Sequence, residues 1–400
     1  MPWKVSELMS ERMGFVLRLE RGERMSDLCR EYGISRKTGY KFLSRFRAEG
    51  AAGLMDKSRR PWRHPNQTPP EVVELVAAQR RAHPTWGPKK LRWVLEREYP
   101  GVKLPAQSTI ALILKQCGFV KPRTRRRKAS PSLGPLRVCK RPNEVWSIDF
   151  KGQFRMGNRR YCYPLTLTDN FSRMILACEA LESTKATPIY SVLEQVFMEC
   201  GLPEVIRSDN GSPFASSGLQ GLTQLSVWLL RLGIELERIE PGHPEQNGRH
   251  ERMHLTLKQE TTRPAKDNLL QQQERFDSFR AEFNERRPHE ALGMRTPTEL
   301  HESSKRAYPE TMQPLEYPLA DLTQRVFADG SIYFQPLKKR IHVTAALANQ
   351  DIGLRQLTPQ TWLACFMDKE LGIIDLELGR LLAVYEPIHC TPESETITDV

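Results

Sequence analysis

Asn143-Glu144-Val145-Trp146-Ser147-Ile148-Asp149-Phe150 is the stretch whose reading decides the fold. Its apolar run reads as a buried strand, and Asp149 stands near its end. An Asp is a poor strand residue, and inside an apolar strand its charge must be paired, hydrogen-bonded or bound to a cation. Two more strands are expected downstream, Tyr161 to Thr168 and Met174 to Ala180, with Gly157-Asn158 as the turn between the first two. Pro188 to Glu199 then reads as a helix, Glu204 to Ser208 as a strand, Leu219 to Leu232 as a helix and Ile234 to Arg238 as a strand. Three antiparallel strands followed by strand and helix alternation predict a mixed sheet covered by helices.

Two further carboxylates stand out by placement. Asp209 closes Val205-Ile206-Arg207-Ser208-Asp209 and is followed by Asn210-Gly211, a pair that is also a common turn. The third comes from Pro241-Gly242-His243-Pro244-Glu245-Gln246-Asn247-Gly248-Arg249-His250-Glu251-Arg252, which offers Glu245 and Glu251. Pro241, Gly242 and Pro244 keep the first part irregular, Asn247 can cap a helix, and nothing breaks a helix from Gly248 through Gln259. Glu251 is therefore expected on a rigid helical turn and Glu245 in a loop. Leu255 and Lys258 follow Glu251 at i+4 and i+7, so one stripe offers a carboxylate, an apolar contact and a cation for a phosphate. A solvated helix residue is the plain alternative for Glu251. Together, two strand-borne aspartates and a helix-borne glutamate suit hard divalent cations. Two Mg²⁺ (or Mn²⁺) ions roughly 4 Å apart could then serve an in-line displacement at phosphorus. The chain has no GxSxG elbow and no GxxxxGK[ST] loop.

Working towards the N-terminus, Glu11 to Arg47 reads as three short helices with a helix-turn-helix at the end. Leu28 and Tyr32 share an apolar face, Gly33 permits a left-handed turn, Ile34 plugs the corner and Ser35 caps a helix whose Tyr40 and Leu43 are expected to face inward. Arg36, Lys37 and Lys41 would then face a DNA groove and its phosphates; any small three-helix domain is the plain alternative. A second helical unit is expected over Glu71 to His83, Lys89 to Glu98 and Ser108 to Cys117, with Lys89 and Lys90 exposed at a turn into its middle helix. Between it and the sheet runs Lys121-Pro122-Arg123-Thr124-Arg125-Arg126-Arg127-Lys128, whose like charges repel and which is expected to lie as an arm along DNA phosphates. Nuclear targeting and a solvated linker are the rival readings of that run. Towards the C-terminus, Arg325 to Phe334 reads as two strands joined through Asp329-Gly330, and Arg340 to Thr344, Thr361 to Met367 and Leu371 to Asp375 add short strands. A small closed β-barrel is the expected arrangement.

Composition agrees with a polyanionic partner. Over 400 residues Lys and Arg outnumber Asp and Glu by 60 to 48, a formal charge of +12. The eight cysteines stand singly without a CxxC pair, the pattern of reduced thiols rather than of a zinc site or a disulfide framework. No apolar run approaches the roughly 18 residues of a membrane helix, so a cytoplasmic protein is expected.

From Glu144 to Leu300 the sequence resembles the integrase-type catalytic core of bacterial insertion-sequence transposases, related to retroviral integrases. The resemblance is carried by Trp146-Ser147-Ile148-Asp149-Phe150, by Thr168-Asp169-Asn170-Phe171-Ser172-Arg173, by Arg207-Ser208-Asp209-Asn210-Gly211 and by His243 through Arg252. It continues in Phe283-Asn284-Glu285-Arg286-Arg287-Pro288-His289-Glu290-Ala291-Leu292-Gly293 and Thr296-Pro297. The resemblance implies a ribonuclease-H-like fold with Asp149, Asp209 and Glu251 as the metal-binding and catalytic triad, and Asp169, Asn210, Lys258 and His289 as further candidates; Asp169 could equally cap a turn. Many relatives place 35 residues between the second Asp and the Glu, which Glu245 matches and Glu251, at 41, does not. The local motif favours Glu251, with extra residues near Ser216 to Thr223, and leaves Glu245 as the fallback. The zinc-binding histidine and cysteine pairs that open retroviral integrases are absent here, so the bacterial type fits better.

The expected architecture is multidomain: a helix-turn-helix domain over 1–55, a second over 68–120, a basic linker over 121–142, a ribonuclease-H-like α/β core over 143–302 and a small β-barrel over 317–390. The expected function is a DNA transposase that binds the terminal repeats of a mobile element, then cleaves and transfers strands. Its partners would be double-stranded element ends and target DNA, engaged as a homodimer or larger assembly near the bacterial nucleoid. A DNA-binding regulator with an inactive core is the alternative, and a nuclease that cuts without joining is a third.

Overall fold

The structure is a computed structural model that describes residues 8–58, 67–120, 136–216, 218–240 and 243–383. The basic arm with Arg123, Arg125, Arg126, Arg127 and Lys128 lies outside the described residues, as does the end of the expected C-terminal domain past 383. The chain divides into two units, Met1–Pro69 and Pro70–Val400.

The first unit holds α1 (Leu8–Glu20), α2 (Met25–Glu31) and α3 (Arg36–Glu49) around Phe15, Val16, Leu28, Phe42 and Leu54. Gly33 takes φ 63° in the turn, and the Ser35 hydroxyl accepts the Thr38 N–H at 3.1 Å to cap α3, as the sequence predicts. The inward face of α3 differs from expectation. Tyr40 is 58% exposed and Leu43 only half-buried, while Gly39 and Phe42 face the core. A Cβ on Gly39 would stand 2.7 Å from Met25 Sδ and 2.9 Å from Cys29 Sγ, so the close crossing of α2 and α3 at Gly39 fixes the rotation of α3 and turns Tyr40 outward. Arg36, Lys37 and Lys41 are exposed beside it.

The second unit begins with α4 (Pro70–Ala82), α5 (Pro88–Glu98) and α6 (Gln107–Gln116), packed around Trp86, Leu91, Leu95 and Ile110. Pro88 is preorganised for the first turn of α5, where no N–H is needed. The sheet that follows contains β1 (Val145–Phe150), β2 (Phe154–Arg155), β3 (Tyr161–Asp169), β4 (Ile175–Leu181), β5 (Val205–Ser208) and β6 (Glu235–Arg238). Its order is β2-β3-β1-β5-β6, with β4 also on β3; β1 and β3 run antiparallel, while β1, β5 and β6 run parallel. The turn at Gly157-Asn158 joins β3 to the short β2 rather than to β1.

Strand alternation distributes the two faces. Trp146, Ile148, Leu165 and Leu167 pack against α7 (Ala186–Cys200) and α8 (Gln224–Arg231). Ser147, Asp149, Thr166 and Thr168 fall on the opposite face by the same alternation, and the two threonines bond side chains of α9 (Gly248–Thr261). That face is completed by α10 (Leu269–Ala281), which meets Ile175 and Cys178 through Phe276 and Phe279.

The C-terminal segment is all-β, with β7 (Leu322–Arg325), β8 (Ser331–Phe334), β9 (Lys339–His342), β10 (Asp351–Thr358), β11 (Thr361–Phe366), β12 (Lys369–Asp375) and β13 (Arg380–Ala383). The expected closed barrel is not seen among the described residues: the strands form an open sheet ordered β13-β12-β11-β10-β7 and a separate β8-β9 ribbon. The Asp329-Gly330 turn is present, with Gly330 at φ 81°, yet β7 pairs with β10 and β8 with β9 instead of with each other. The ribbon covers one face of the sheet, where Ile332, Phe334 and Ile341 share a core with Trp362, Phe366 and Ile374.

Candidate active site

Register places the two aspartates. β1 and β5 pair with Ser147 opposite Arg207; two residues further on, Asp149 is still in β1 and Asp209 is the first residue past the end of β5, so the same register carried forward brings them to neighbouring strand ends. Asp209 leaves β5 in a turn, with its Oδ1 accepting the Gly211 N–H at 3.0 Å and Asn210 Nδ2 donating to the Ile239 carbonyl. The Asp-Asn-Gly turn and the placement of a carboxylate thus coexist. Glu251 lies in the first turn of α9 with its side chain exposed. The Asp149 carboxyl is pushed up to about 7, chiefly by burial and then by the negative charge of Asp209, with Glu251 adding to it and Lys151 opposing. Asp209 and Glu251 therefore both lie within electrostatic reach of Asp149, where their negative charge acts against that of Lys151.

Behind Asp149 is a buried polar core. The Thr166 hydroxyl donates to the Asp149 carbonyl at 3.1 Å and also meets His250 Nε2 and His254 Nε2, each at 2.7 Å. A hydroxyl has one proton, and a carbonyl can only accept, so both imidazoles must donate to Thr166 through Nε2–H. His250 Nδ1 is then the acceptor for the Thr168 hydroxyl at 2.9 Å. His254 Nδ1 is left as a lone pair 3.7 Å from Asp149 Oδ2. Burial depresses both histidines, His250 to about 3, and keeps them neutral. Asp149, His250 and His254 bring ligand atoms within 4.8 Å of one another, but both nitrogens of His250 are occupied. Of that trio, only Asp149 and His254 Nδ1 can face a cation.

An integrase core domain model matches residues 140–244 and a second integrase core model residues 232–297. A helix-turn-helix domain model matches 11–61, and a homeodomain-like domain model matches 38–114. The 39.2 kDa protein of insertion element IS476 from Xanthomonas euvesicatoria is 29% identical over 70% of this chain and 79% of its own. The 31.7 kDa protein of insertion element IS407 from Burkholderia multivorans is 26% identical over 57% of this chain and 78% of its own. The matched residues 140–297 are an integrase core domain by both models, and the relatives that align with most of their own length are insertion-element proteins.

The chain thus carries an integrase core domain and is similar to proteins of bacterial insertion elements. Among solved structures, the magnesium complex of the HTLV-2 integrase catalytic core (trimeric form) is 17% identical, covering 40% of this chain and 98% of that one at a TM-score of 0.32. In the integrase core of this chain, Glu245 falls on the 3-10 turn Pro244–Asn247 that leads into α9, while Glu251 falls inside the helix. Asn247 occupies the cap position but makes no side-chain capping bond. Leu255 and Lys258 follow Glu251 on an exposed stripe.

Asp169 acts as a turn lock: fully buried, it accepts from Ser172 N, Ser172 Oγ and Asn143 N. His289 packs edge-on against Phe283, and its Nε2 is buried without a partner. Lys89 is exposed and pairs with Glu290 at 3.4 Å, whereas Lys90 is turned against the core, where burial and then Arg287 push it down to about 7. No helix of the described residues is long and apolar enough to cross a membrane. Sequence reasoning missed Thr166, His250 and His254. The signal was the i, i+4 spacing of His250 and His254 beside Met253 and Leu257, which puts polar rings on the buried face of α9.

Proposed function

We propose that the chain is a DNA transposase that binds the terminal repeats of its element through the helix-turn-helix units, then cleaves and transfers strands at Asp149, Asp209 and Glu251. The observation that carries this reading is the in-register pair Asp149 and Asp209 facing a helix-borne Glu251, with Asp149 held up to about 7 by burial and by the other two charges. Oxygen donors brought together in this way fit hard divalent cations, and His254 Nδ1 adds a nitrogen at the edge of the set. Bound Mg²⁺ or Mn²⁺, as two ions, would supply Lewis-acid activation of an attacking oxygen and charge neutralisation at the scissile phosphate.

The chain's own residues do the rest. The Thr166 hub fixes Asp149 and α9 in one arrangement, so Glu251 is presented from a rigid element. Lys258, two turns along α9, can hold a phosphate on the same stripe. Arg36, Lys37 and Lys41 on α3 and the arm residues Arg123, Arg125, Arg126, Arg127 and Lys128 supply charge for element ends. Lys89 at the start of α5 adds to it. Two ends must be processed together, so a homodimer or larger assembly on duplex DNA at the nucleoid follows from the reaction.

The test is strand cleavage and strand transfer on labelled element-end DNA with Mg²⁺ or Mn²⁺. Asp209→Asn and Glu251→Gln are expected to abolish both steps with DNA binding intact, while Glu245→Gln stays active. A parent protein that binds the ends tightly and never cuts under either metal would overturn the reading.

A further inference from the structure

A second feature of α9 lies on the side away from Glu251. At about 100° per residue, Glu251, Leu255 and Lys258 form one stripe, and Arg249, Arg252, Met253 and Thr256 form the opposite one. The second stripe walls a cleft of about 880 Å³ that none of the three carboxylates lines. Its other walls come from Leu136 to Cys139, from the turn after β3 with Arg173, from α5 with Lys90 and from Arg287 to Ala291.

The cleft is overcharged. Arg137 and Arg207 are committed to Glu204 and Glu237, and Arg287 to Glu260. Lys90, Arg173, Arg249 and Arg252 also line it, and among the described residues none of the four pairs with a carboxylate. Of the acids in the wall, Asp169 is locked in its turn and Glu290 is bound to Lys89. The guanidinium of Arg173 is held down to about 10 by burial and by Arg249, with Arg252 adding to it and Cys139 and Asp169 opposing, so its cationic neighbours outweigh its anionic ones. Independently, a buried donor in the wall, the Gln246 Nε2 amide, has no hydrogen-bond partner among the described residues. Like charges converging with an unsatisfied donor call for a bound anion.

We propose that this cleft is a second seat for the sugar-phosphate backbone of duplex DNA, distinct from the carboxylate site and on the far side of the same helix. The proposal rests on the DNA-acting reading of the chain and adds a contact surface to it. Duplex DNA is favoured over a small anion by continuity: Leu136 to Cys139 enter the cleft a few residues after the basic run Lys121–Lys128, and Lys90 joins it from the second helical unit. Lys90, Arg173, Arg249 and Arg252 come from separate segments of the chain and together offer more positive charge than one small anion takes.

The experiment measures affinity of the full chain for random-sequence duplex DNA across a salt series in EDTA, so that binding is read without cutting. Arg249→Gln/Arg252→Gln, at exposed positions, and Arg173→Gln/Arg252→Gln are each expected to lower the slope of log affinity against log salt by about 2 and to weaken binding roughly tenfold. Arg160→Gln, on the β2-β3 hairpin, should leave the slope unchanged. An unchanged slope in both double variants, with parent-like circular dichroism, overturns the proposal, and so does an equal change in Arg160→Gln. A parallel thermal-shift titration with inorganic phosphate covers the other source. Stabilisation of the parent but not of the double variants, with no change in DNA slope, would assign the cleft to a free anion and overturn the DNA seat. Failure of the transposase reading is separate, because it shows as absent cutting whatever the slope.

Discussion

Replacing Thr166 by Val keeps the shape of the side chain and removes the one oxygen that ties Asp149 to α9. In the parent that oxygen takes Nε2–H bonds from His250 and His254, both almost fully buried. The variant leaves two buried imidazole donors with a methyl group in front of them, at a cost of about 1–3 kcal/mol each. The gain from burying a methyl group in place of a hydroxyl offsets about 1 kcal/mol of that. A net loss of about 3 kcal/mol corresponds to a roughly hundredfold rise in local opening. Hydrogen exchange resolves it without assuming that this multidomain chain unfolds in one step: amides of Val145–Phe150 and Tyr161–Asp169 should exchange faster, while those of α1 to α3 should not change. Thr166→Ser, which restores the oxygen, should fall close to the parent. Exchange in the Val variant within threefold of the parent would refute the hub, and with it the claim that His250 and His254 both donate to Thr166.

Further predictions concern stability and acid sensitivity. His250 and His289 are held at about 3 and His254 lower still by burial, so the unfolded chain binds protons on these groups below about 6.5 and the folded chain does not. Stability from them is complete above that pH and is lost as pH falls; Asp149, raised to about 7, carries one proton in the folded state and cancels one of the three. In EDTA these groups should lower unfolding free energy by up to about 2.8 kcal/mol per unit between pH 6 and 4.5, read as urea midpoints, and a flat profile would contradict the burial. Asn284 closes the start of β4, accepting the Ile175 N–H and donating to the Ile175 carbonyl, both at 2.9 Å. Asn284→Ala should therefore destabilise the core by about 2–4 kcal/mol, measured by thermal unfolding, and a loss under 0.5 kcal/mol, the scale of a surface change, would contradict that role. Gly330→Ala sets a Cβ 2.4 Å from Ala345 N at φ 81°, so the C-terminal sheet should lose about 1–3 kcal/mol; protease cleavage between β7 and β10 at parent rates would argue otherwise.

The parts of the fold that were legible in sequence are those whose signal is local. Ser35 caps α3 because a hydroxyl before a helix has an N–H to accept wherever it occurs. The strand β1 was legible because its apolar run has no other explanation, and Asp149 within it because a charge there demands a partner. Where contacts are distant, local signals mislead. The Asp329-Gly330 turn is real, but the strands on either side of it find their hydrogen-bond partners at β10 and β9, and a dipeptide carries no information about which neighbour wins. Tyr40 reads as an inward residue until Gly39 is seen to set the approach of α2.

The candidate site shows the same division. Asp149 was legible as a candidate because it breaks the pattern of its strand, and Asp209 and Glu251 through the motifs around them, whereas the Thr166 hub and the overcharged cleft are sums over segments far apart in the chain. His250 and His254 are ordinary polar residues of a helix until β3 supplies two threonines opposite them, a pairing fixed by the register of Asp149 with Thr166. Once that register is set, the two faces of α9 differ: one meets Thr166 and Thr168 through buried, neutral imidazoles, and the other carries arginines that pair with no carboxylate among the described residues at the wall of a cleft. A single rigid helix can then couple backbone contact on one side to carboxylate geometry on the other.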